Sequence, residues 1–274
     1  MKTPGNRRLW ALAVPGLGIL GVFFLIPLAS VFAEAGRGGA MLRLLESPDL
    51  WDALFASLWL GARAAALSLA VGVGVAAHLA RLPERTRALL QVVIALPLTF
   101  SGLIVAYGFI LLLGRAGFIT LLLARLGADP AAIAGTFYGP VGLVVAYSYY
   151  LVPRVVLMVL PVFLNFDTRQ VAAAESLGAT RLRAWVEVVL PQVAPTFFAA
   201  FCLVAAVAIG AYGTALALVG TQINLLPLRL YSMISDAGAD MPLASAVSVV
   251  LLAVCSLIMA AAEVAAAEAE DADA

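Results

Sequence analysis

The sequence predicts an all-α integral membrane protein with six transmembrane helices. Three observations carry that prediction. The 274 residues are 64% hydrophobic and 12% charged, and their mean hydropathy is +1.07. Apolar stretches of about 20 residues recur, the length a helix needs to cross a bilayer. These stretches are continuous rather than alternating, which selects helices over the strands of a barrel. A soluble domain of this size needs a polar surface that these residues do not supply.

The six apolar spans cover residues 9–32, 54–80, 88–113, 140–164, 196–219 and 242–264. Their orientation follows from the basic residues of the connecting segments. With the N-terminus inside, the inner segments hold Lys2, Arg7, Arg8, Arg81, Arg85, Arg87, Arg169, Arg181 and Arg183. The outer segments hold Arg37, Arg43, Arg115, Arg125 and Arg229. That bias places both termini in the cytoplasm. The first span has a rival reading, because its basic start and the small residues at Ala33 and Ala35 also resemble a cleavable signal peptide. Its apolar run is much longer than the usual core of such a peptide, and N-terminal sequencing of the mature protein decides between the two.

Two outer segments exceed minimal turns. In residues 115–138 an apolar-periodic piece around Phe118–Leu123 precedes the breakers Gly127 and Pro130. Residues 221–240 are too short and too polar to span, and read as a short helix lying at the interface. Residues 265–274, alanine mixed with Glu268, Glu270, Asp271 and Asp273, read as a solvated acidic end of the last helix.

Several chemistries are missing. The sole lysine is Lys2, so no internal lysine is available for a GxxxxGK[ST] phosphate loop. His78 has no neighbours spaced for a metal site or a triad and reads as interfacial or packed. Cys202 and Cys255 lie in apolar runs without zinc or disulfide spacing. Net charge is zero, which implies no nucleic-acid partner. The spans hold essentially no Asp or Glu, against the habit of proton- and sodium-coupled carriers, although backbone carbonyls can coordinate sodium. Nothing points to covalent catalysis or to a cofactor held by this chain.

Two arginines interrupt the spans, Arg63 and Arg154, and charge at such depth must snorkel, pair or face a cavity. Arg63 reads as snorkelling outward. Arg154, directly after Pro153, has two open readings: facing a translocation cavity, or bonding carbonyls of a packed neighbour. Tyr107, Tyr149, Tyr150 and Tyr212 are belt or core aromatics in the ordinary case and, with Arg154, the pathway candidates in the functional one. Gly210 and Gly213 give the fifth span a small-residue face.

Between spans four and five the chain turns polar. Asp167 followed by Gln170 fits a capping box, predicting a helix over 168–177. Gly178 suits the left-handed position that ends a helix. Thr180 can cap a second helix running to Leu190, before Pro191. Leu182, Trp185, Val186 and Val189 share one face of that second helix. An ordinary interfacial loop explains this as well as a functional one.

The segment resembles the cytoplasmic EAA loop of ATP-binding-cassette (ABC) importer permeases of the methionine-importer-like family. AAAESLGA at 172–179 matches from Ala173 through Ala174, Leu177, Gly178 and Ala179, and Leu190-Pro191 and Pro195 fall where that loop has its LP and following proline. The glutamate that begins the motif is replaced by Ala172; Glu175 lies about one turn later on a neighbouring face, and either it or a residue of the partner supplies the missing charge. The resemblance implies a type I ABC importer permease fold. Residues 1–53 then hold an additional N-terminal helix and outer loop, 54–264 the five-helix core with its coupling loop at 165–195, and 265–274 the acidic tail. It implies that Ala172, Ala173, Ala174, Glu175, Ser176, Leu177, Gly178, Ala179 and Thr180 engage an ATPase.

The implied partners are two ATPase subunits that hold ATP and magnesium, a second permease, the same or different, and a periplasmic or lipid-anchored binding protein. The implied location is the bacterial inner membrane. Residues 226–231, 236–243 and 101–117 resemble the polyamine, ferric-iron, thiamine and phosphonate branch, with spermidine/putrescine-type substrates favoured. Arg229, Asp236 and Asp240 are then candidate contacts for the binding protein. The rival class is a transporter or channel that works without ATP.

Overall fold

The structure, a computed structural model, describes residues 14–235 and 239–273. Among the described residues every regular element is helical. The elements are α1 Val14–Ala35, α2 Ala40–Leu45, α3 Pro48–Ala80, α4 Glu84–Ala95, α5 Gly102–Leu113, α6 Phe118–Arg125 and α7 Pro130–Phe137. They continue with α8 Pro140–Asn165, α9 Arg169–Ser176, α10 Arg181–Ile209, α11 Gly213–Val219, α12 Leu226–Ser235 and α13 Met241–Asp273. Among the described residues six stretches are long and apolar enough to cross a membrane: α1, α3, α5 with α6, α8, α10, and α13 as far as Ala265.

Contacts divide the chain into two units. The larger comprises residues 52–229 and 254–274. Its centre is α8, where Leu143, Tyr147, Leu151, Val155, Val156, Val159 and Leu160 are buried. Ala64, Ala65 and Ala76 of α3 and Ala200, Ala205 and Ala208 of α10 belong to the same core. Small side chains let membrane helices approach closely, where dispersion supplies most of the attraction.

The smaller unit comprises residues 1–51 and 230–253. Within it Arg43 donates from Nη1 and Nη2 to the two carboxylate oxygens of Asp240, at 2.6 and 3.2 Å. Asp240 also accepts from the Leu243 amide at 3.1 Å, in the first turn of α13. The Arg43 guanidinium, helped by that amide, holds the Asp240 carboxyl below the usual carboxylate range. In α1 only Ala35 is buried.

Prolines act in two ways. Pro27 and Pro191 each follow a five-residue π-helical stretch by two positions, Gly21–Leu25 and Trp185–Val189. A proline ring clashes with the carbonyl four residues back and offers no N–H to it. Widening the turn to i→i+5 bonds accommodates that carbonyl without ending the helix. Pro153 and Pro161 instead sit inside α8 with no such widening.

Four expectations change. Residues 88–113 are not one helix: α4 ends at Ala95, Leu96–Thr99 form a 3₁₀ turn at Pro97, and Phe100 and Ser101 are extended before α5 begins. Residues 196–219 are also interrupted, because Gly210 ends α10 and α11 starts afresh at Gly213. The second loop helix does not stop at Leu190. The π stretch carries it past Pro191 into the fifth span as one helix, α10. The capping box does not form: Asp167 Oδ1 accepts from the Arg169 amide at 2.9 Å, while the Gln170 side chain bonds to Gln192 at 2.7 Å. Part of the first expected span, with Lys2, Arg7 and Arg8, lies outside the described residues.

Residues 115–138 and 221–240 carry short helices, the latter where one was expected. α6 and α7 are separated at Gly127, whose φ is +92°, and α12 occupies the middle of residues 221–240. The acidic C-terminal segment continues α13 to Asp273.

Candidate functional site

The polar hairpin is built almost entirely by local chemistry. α9 has no buried residue. It ends in a Schellman motif, in which the Gly178 amide bonds to the Glu175 carbonyl at 3.0 Å and the Ala179 amide to the Ala174 carbonyl at 3.1 Å. That geometry needs a left-handed residue, and Gly178 supplies it at φ +89°. Ser176 Oγ returns to the Ala172 carbonyl at 2.6 Å. Thr180 then starts α10, its hydroxyl accepting from the Arg183 amide at 3.3 Å.

Leu177, at the tip of this turn, is 90% exposed. Leu182, Trp185 and Val186 are also exposed, whereas Val189 of the same expected face is buried together with Ala184. The hairpin therefore packs inward through Ala184 and Val189. The Gln170–Gln192 bond fastens α9 to α10.

Beside α9 is a cleft of about 430 Å³. Ala172 and Glu175 line it together with Arg81, Arg181, Trp185 and Phe163. The position lacking the motif glutamate and the glutamate one turn later therefore face the same space, which also holds two guanidinium groups.

The second site lies where two helices break. The extended residues Phe100 and Ser101 and the interruption at Gly210–Tyr212 face each other across a cavity of about 380 Å³. Broken helices at membrane depth persist only where the freed polar groups find partners or line a cavity. The partners are present. Tyr147, buried in α8, donates its hydroxyl to the Ala211 carbonyl at 2.7 Å. Ser101 Oγ accepts from the Ile104 amide at 3.4 Å and caps α5. α5 and α11 pack closely: a Cβ at Gly102 would strike the Thr214 hydroxyl, which would have to shift to admit any larger residue.

Arg154 reaches this cavity from α8. It sits about three turns before Asn165, about 16 Å along the helix and so near the middle of a bilayer of about 30 Å. Its Nη1 donates to the Tyr150 carbonyl at 2.7 Å, and its guanidinium lies 5.7 Å from the centre of the Tyr150 ring. Arg154 thus lines an open space, and its bond goes to a carbonyl of its own helix rather than to one of a packed neighbour. Arg63 contrasts with it. It is exposed, lies 4.7 Å over the Trp59 ring one turn toward the start of α3, and is about 25 Å from Ala80. That geometry matches a side chain reaching for an interface.

Of the pathway candidates, the cavity collects Tyr150, Arg154 and Tyr212. Tyr107 and Tyr149 are not among its lining residues. Tyr107 is exposed on α5, and Tyr149 is exposed with its ring edge-on to Phe109 at 5.7 Å. Ser101, Gly102 and Thr214 are lining residues that the sequence reading did not single out. The signal for them was present: Pro97 followed by Ser101-Gly102 inside an apolar run marks a break and a new helix start. Arg229 donates from Nε to Asn224 Oδ1 at 2.7 Å, Asp240 is held by Arg43, and Asp236 lies outside the described residues. His78 is exposed in the last turn of α3. Among the described residues no cluster of His, Cys, Asp and Glu has the composition of a metal site.

A bundle of apolar helices with a mid-depth cavity at two helix breaks, joined by one helix to a stiff exposed hairpin, defines a membrane-embedded permease subunit. The chain belongs to the family described as the binding-protein-dependent transport system inner membrane component, which it matches over residues 68–267. It is a multi-pass membrane protein and the permease subunit of an ABC importer that depends on a binding protein.

The chain is 26% identical to the spermidine/putrescine transport system permease protein PotB of Escherichia coli (strain K12), over 90% of this chain and 89% of that one. It is 27% identical to sulfate permease 2, chloroplastic, of Chlamydomonas reinhardtii, over 87% of this chain and 64% of that one. Its fold is similar to a chain of a bacterial alginate ABC transporter, crystallised in complex with an alginate pentasaccharide-bound periplasmic protein. The TM-score is 0.69 at 17% identity, covering 94% of this chain and 93% of the other. A second structure of an alginate-importing ABC transporter gives a TM-score of 0.71 at 16% identity, covering 96% of each chain.

Proposed function

We propose that this chain forms half of a substrate pathway and converts ATPase movement into opening of the cavity at Arg154. The observation that carries this is α10. It starts at Arg181 beside the coupling turn and runs unbroken to Ile209, at the rim of the cavity. A helix of that length is a rod of about 43 Å. With α9 fastened to it through Gln170 and Gln192, a push on residues 172–180 moves the rod as one body. It displaces Gly210–Tyr212 against α5, a rigid-body transmission that a floppy loop would dissipate.

In this reading two ATPase subunits hold ATP and magnesium and engage the hairpins, and a second permease completes the pathway. A periplasmic or lipid-anchored binding protein delivers the solute. The membrane is the bacterial inner membrane, with both termini and the hairpin on the cytoplasmic side. The basic residues at the ends of α3 and α9 support that orientation. The cargo is a small charged solute of the polyamine, ferric-iron, thiamine and phosphonate range. The relatives named for spermidine and putrescine support its polyamine-type members.

Glu175 takes over from the glutamate missing at 172, because both positions line the cleft that holds Arg81 and Arg181. One experiment tests both parts in the complete importer, reconstituted in liposomes. Ala173→Asp places a charge on the exposed turn of α9, so ATP hydrolysis continues while solute uptake collapses. Wild-type uptake in that variant overturns the transmission reading. Glu175→Ala weakens coupling and Ala172→Glu in the same chain restores it. Unchanged ATP consumed per solute in Glu175→Ala removes Glu175 from the mechanism.

A further inference from the structure

The cavity at the two helix breaks has a sign of charge. Of its lining residues, Pro97, Leu98, Phe100, Gly102, Leu103, Val207, Ala211 and Gly213 are apolar or backbone, while Ser101, Tyr150, Tyr212 and Thr214 are neutral polar groups. Among the described residues Arg154 is the one ionised side chain at this space, and no carboxylate lines it. Its guanidinium has five N–H donors. One is given to the Tyr150 carbonyl, and among the described residues no carboxylate pairs with it.

A guanidinium at mid-bilayer depth is costly unless something compensates it. The aromatic face of Tyr150 offsets part of that cost. The remaining donors point to a ligand of opposite charge, and a planar guanidinium matches oxyanions in particular, through paired N–H···O bonds. The Ser101 hydroxyl adds a neutral donor of the kind that binds phosphoryl, sulfonyl or carboxyl oxygens, whereas the buried Thr214 hydroxyl is bonded to Tyr150.

We infer that the cavity is an oxyanion subsite, at which Arg154 holds a phosphonate-, phosphate-, sulfate- or carboxylate-type group of the solute during passage. This rests on the cavity being part of the transport pathway. Within the range of cargo proposed above, it fits the phosphonate-type members and not the polyamine-type ones that the relatives' names support, because polyamines carry no oxyanion. Arg154 is then a specificity-determining residue, and its contact with the Tyr150 carbonyl fixes where the guanidinium points.

The test reads the sign of charge directly and needs no knowledge of the natural solute. Ser101→Cys is introduced into the full importer, with Cys202 and Cys255 replaced by alanine. The modification rate is measured with a sulfonate-bearing and a trimethylammonium-bearing methanethiosulfonate reagent, each normalised to its rate with a free thiol. A cleft of one sign concentrates counter-ions by about tenfold or more. The sulfonate reagent is therefore expected to react about tenfold faster. Arg154→Gln should erase that preference and Arg154→Lys should keep most of it. A structural role alone would slow both reagents alike. Equal rates, a preference for the cationic reagent, or a preference that survives Arg154→Gln overturns the oxyanion subsite while leaving the pathway reading intact. If neither reagent reaches the introduced thiol from either side of the membrane, the pathway reading itself fails and the subsite falls with it.

Discussion

The polar hairpin and the mid-membrane cavity sit at opposite ends of one helix and are built in opposite ways. The hairpin is local. The polar contacts that shape its turn join residues no more than five apart, Asp167 to Arg169, Gly178 to Glu175, Ala179 to Ala174 and Thr180 to Arg183, and one longer bond, Gln170 to Gln192, ties α9 to α10. The cavity is non-local. It needs α8 to present Tyr150 and Arg154, the break before α5, and the break after α10, with Tyr147 and Ala211 bonded across 64 positions. The hairpin's stiffness thus depends on backbone conformation at a few residues, and the cavity's on packing among helices. Substitutions should separate the two.

The largest effect is expected at Gly178. Its φ of +89° is closed to proline, whose ring holds φ near −65°. Strain at such a position is of order 1–3 kcal/mol, so Gly178→Pro should reduce uptake by about tenfold or more while the cavity stays intact. Gly178→Asn, which tolerates the left-handed region, should retain most activity. Uptake and ATP hydrolysis measured on the same liposomes check this. If both variants behave alike, the hairpin's rigidity is not what matters.

A smaller effect is expected at the other end. Tyr147→Phe removes the hydroxyl that satisfies the Ala211 carbonyl at the break in the fifth span. Losing one buried hydrogen bond costs about 1 kcal/mol, which lowers the melting temperature by about 2–4 °C in a protein of this size. Binding of the partner ATPase, which concerns the far end of α10, should not change. A thermal-shift assay and a co-purification on the same variant give both readouts.

The smallest effect belongs to neither end and serves as a control. Arg43 and Asp240 form an exposed pair, of the kind that contributes little. The folded state holds the Asp240 carboxyl below its unfolded value, so the pairing stabilises the protein above the ordinary carboxylate pKa, about 3.9. That contribution is lost as pH falls through the lowered value. Asp240→Asn should therefore melt slightly below the wild type at neutral pH. The difference should vanish in acid, and a difference that grew with falling pH would contradict this sign.

The same contrast explains what could be read in advance. Gly178 and Thr180 were legible because caps and left-handed turns are short-range and depend on residue type. The spans were legible because a bilayer demands long apolar runs. The break within the fifth span was not, since Gly210 looks like a residue that membrane helices commonly tolerate; the one in the third showed only in Pro97 combined with Ser101-Gly102, because proline alone does not break a membrane helix, as Pro153 and Pro161 inside α8 show. Pro191 misled in the other direction: a π stretch let the helix pass where a proline ordinarily stops one.

By itself, then, the sequence determined the all-helical membrane class, the number of apolar spans and the turn from Gly178 to Thr180. Each follows from hydropathy or from bonds among near neighbours. Only the tertiary structure decided which prolines break a helix, and which of five polar candidates meet. Tyr150, Arg154 and Tyr212 share a cavity, whereas Tyr107 and Tyr149 face away from it. The physical reason is that a break in a membrane helix survives only where residues distant in sequence satisfy its freed carbonyls and amides. Tyr147 does so for Ala211, and no local pattern announces that partnership.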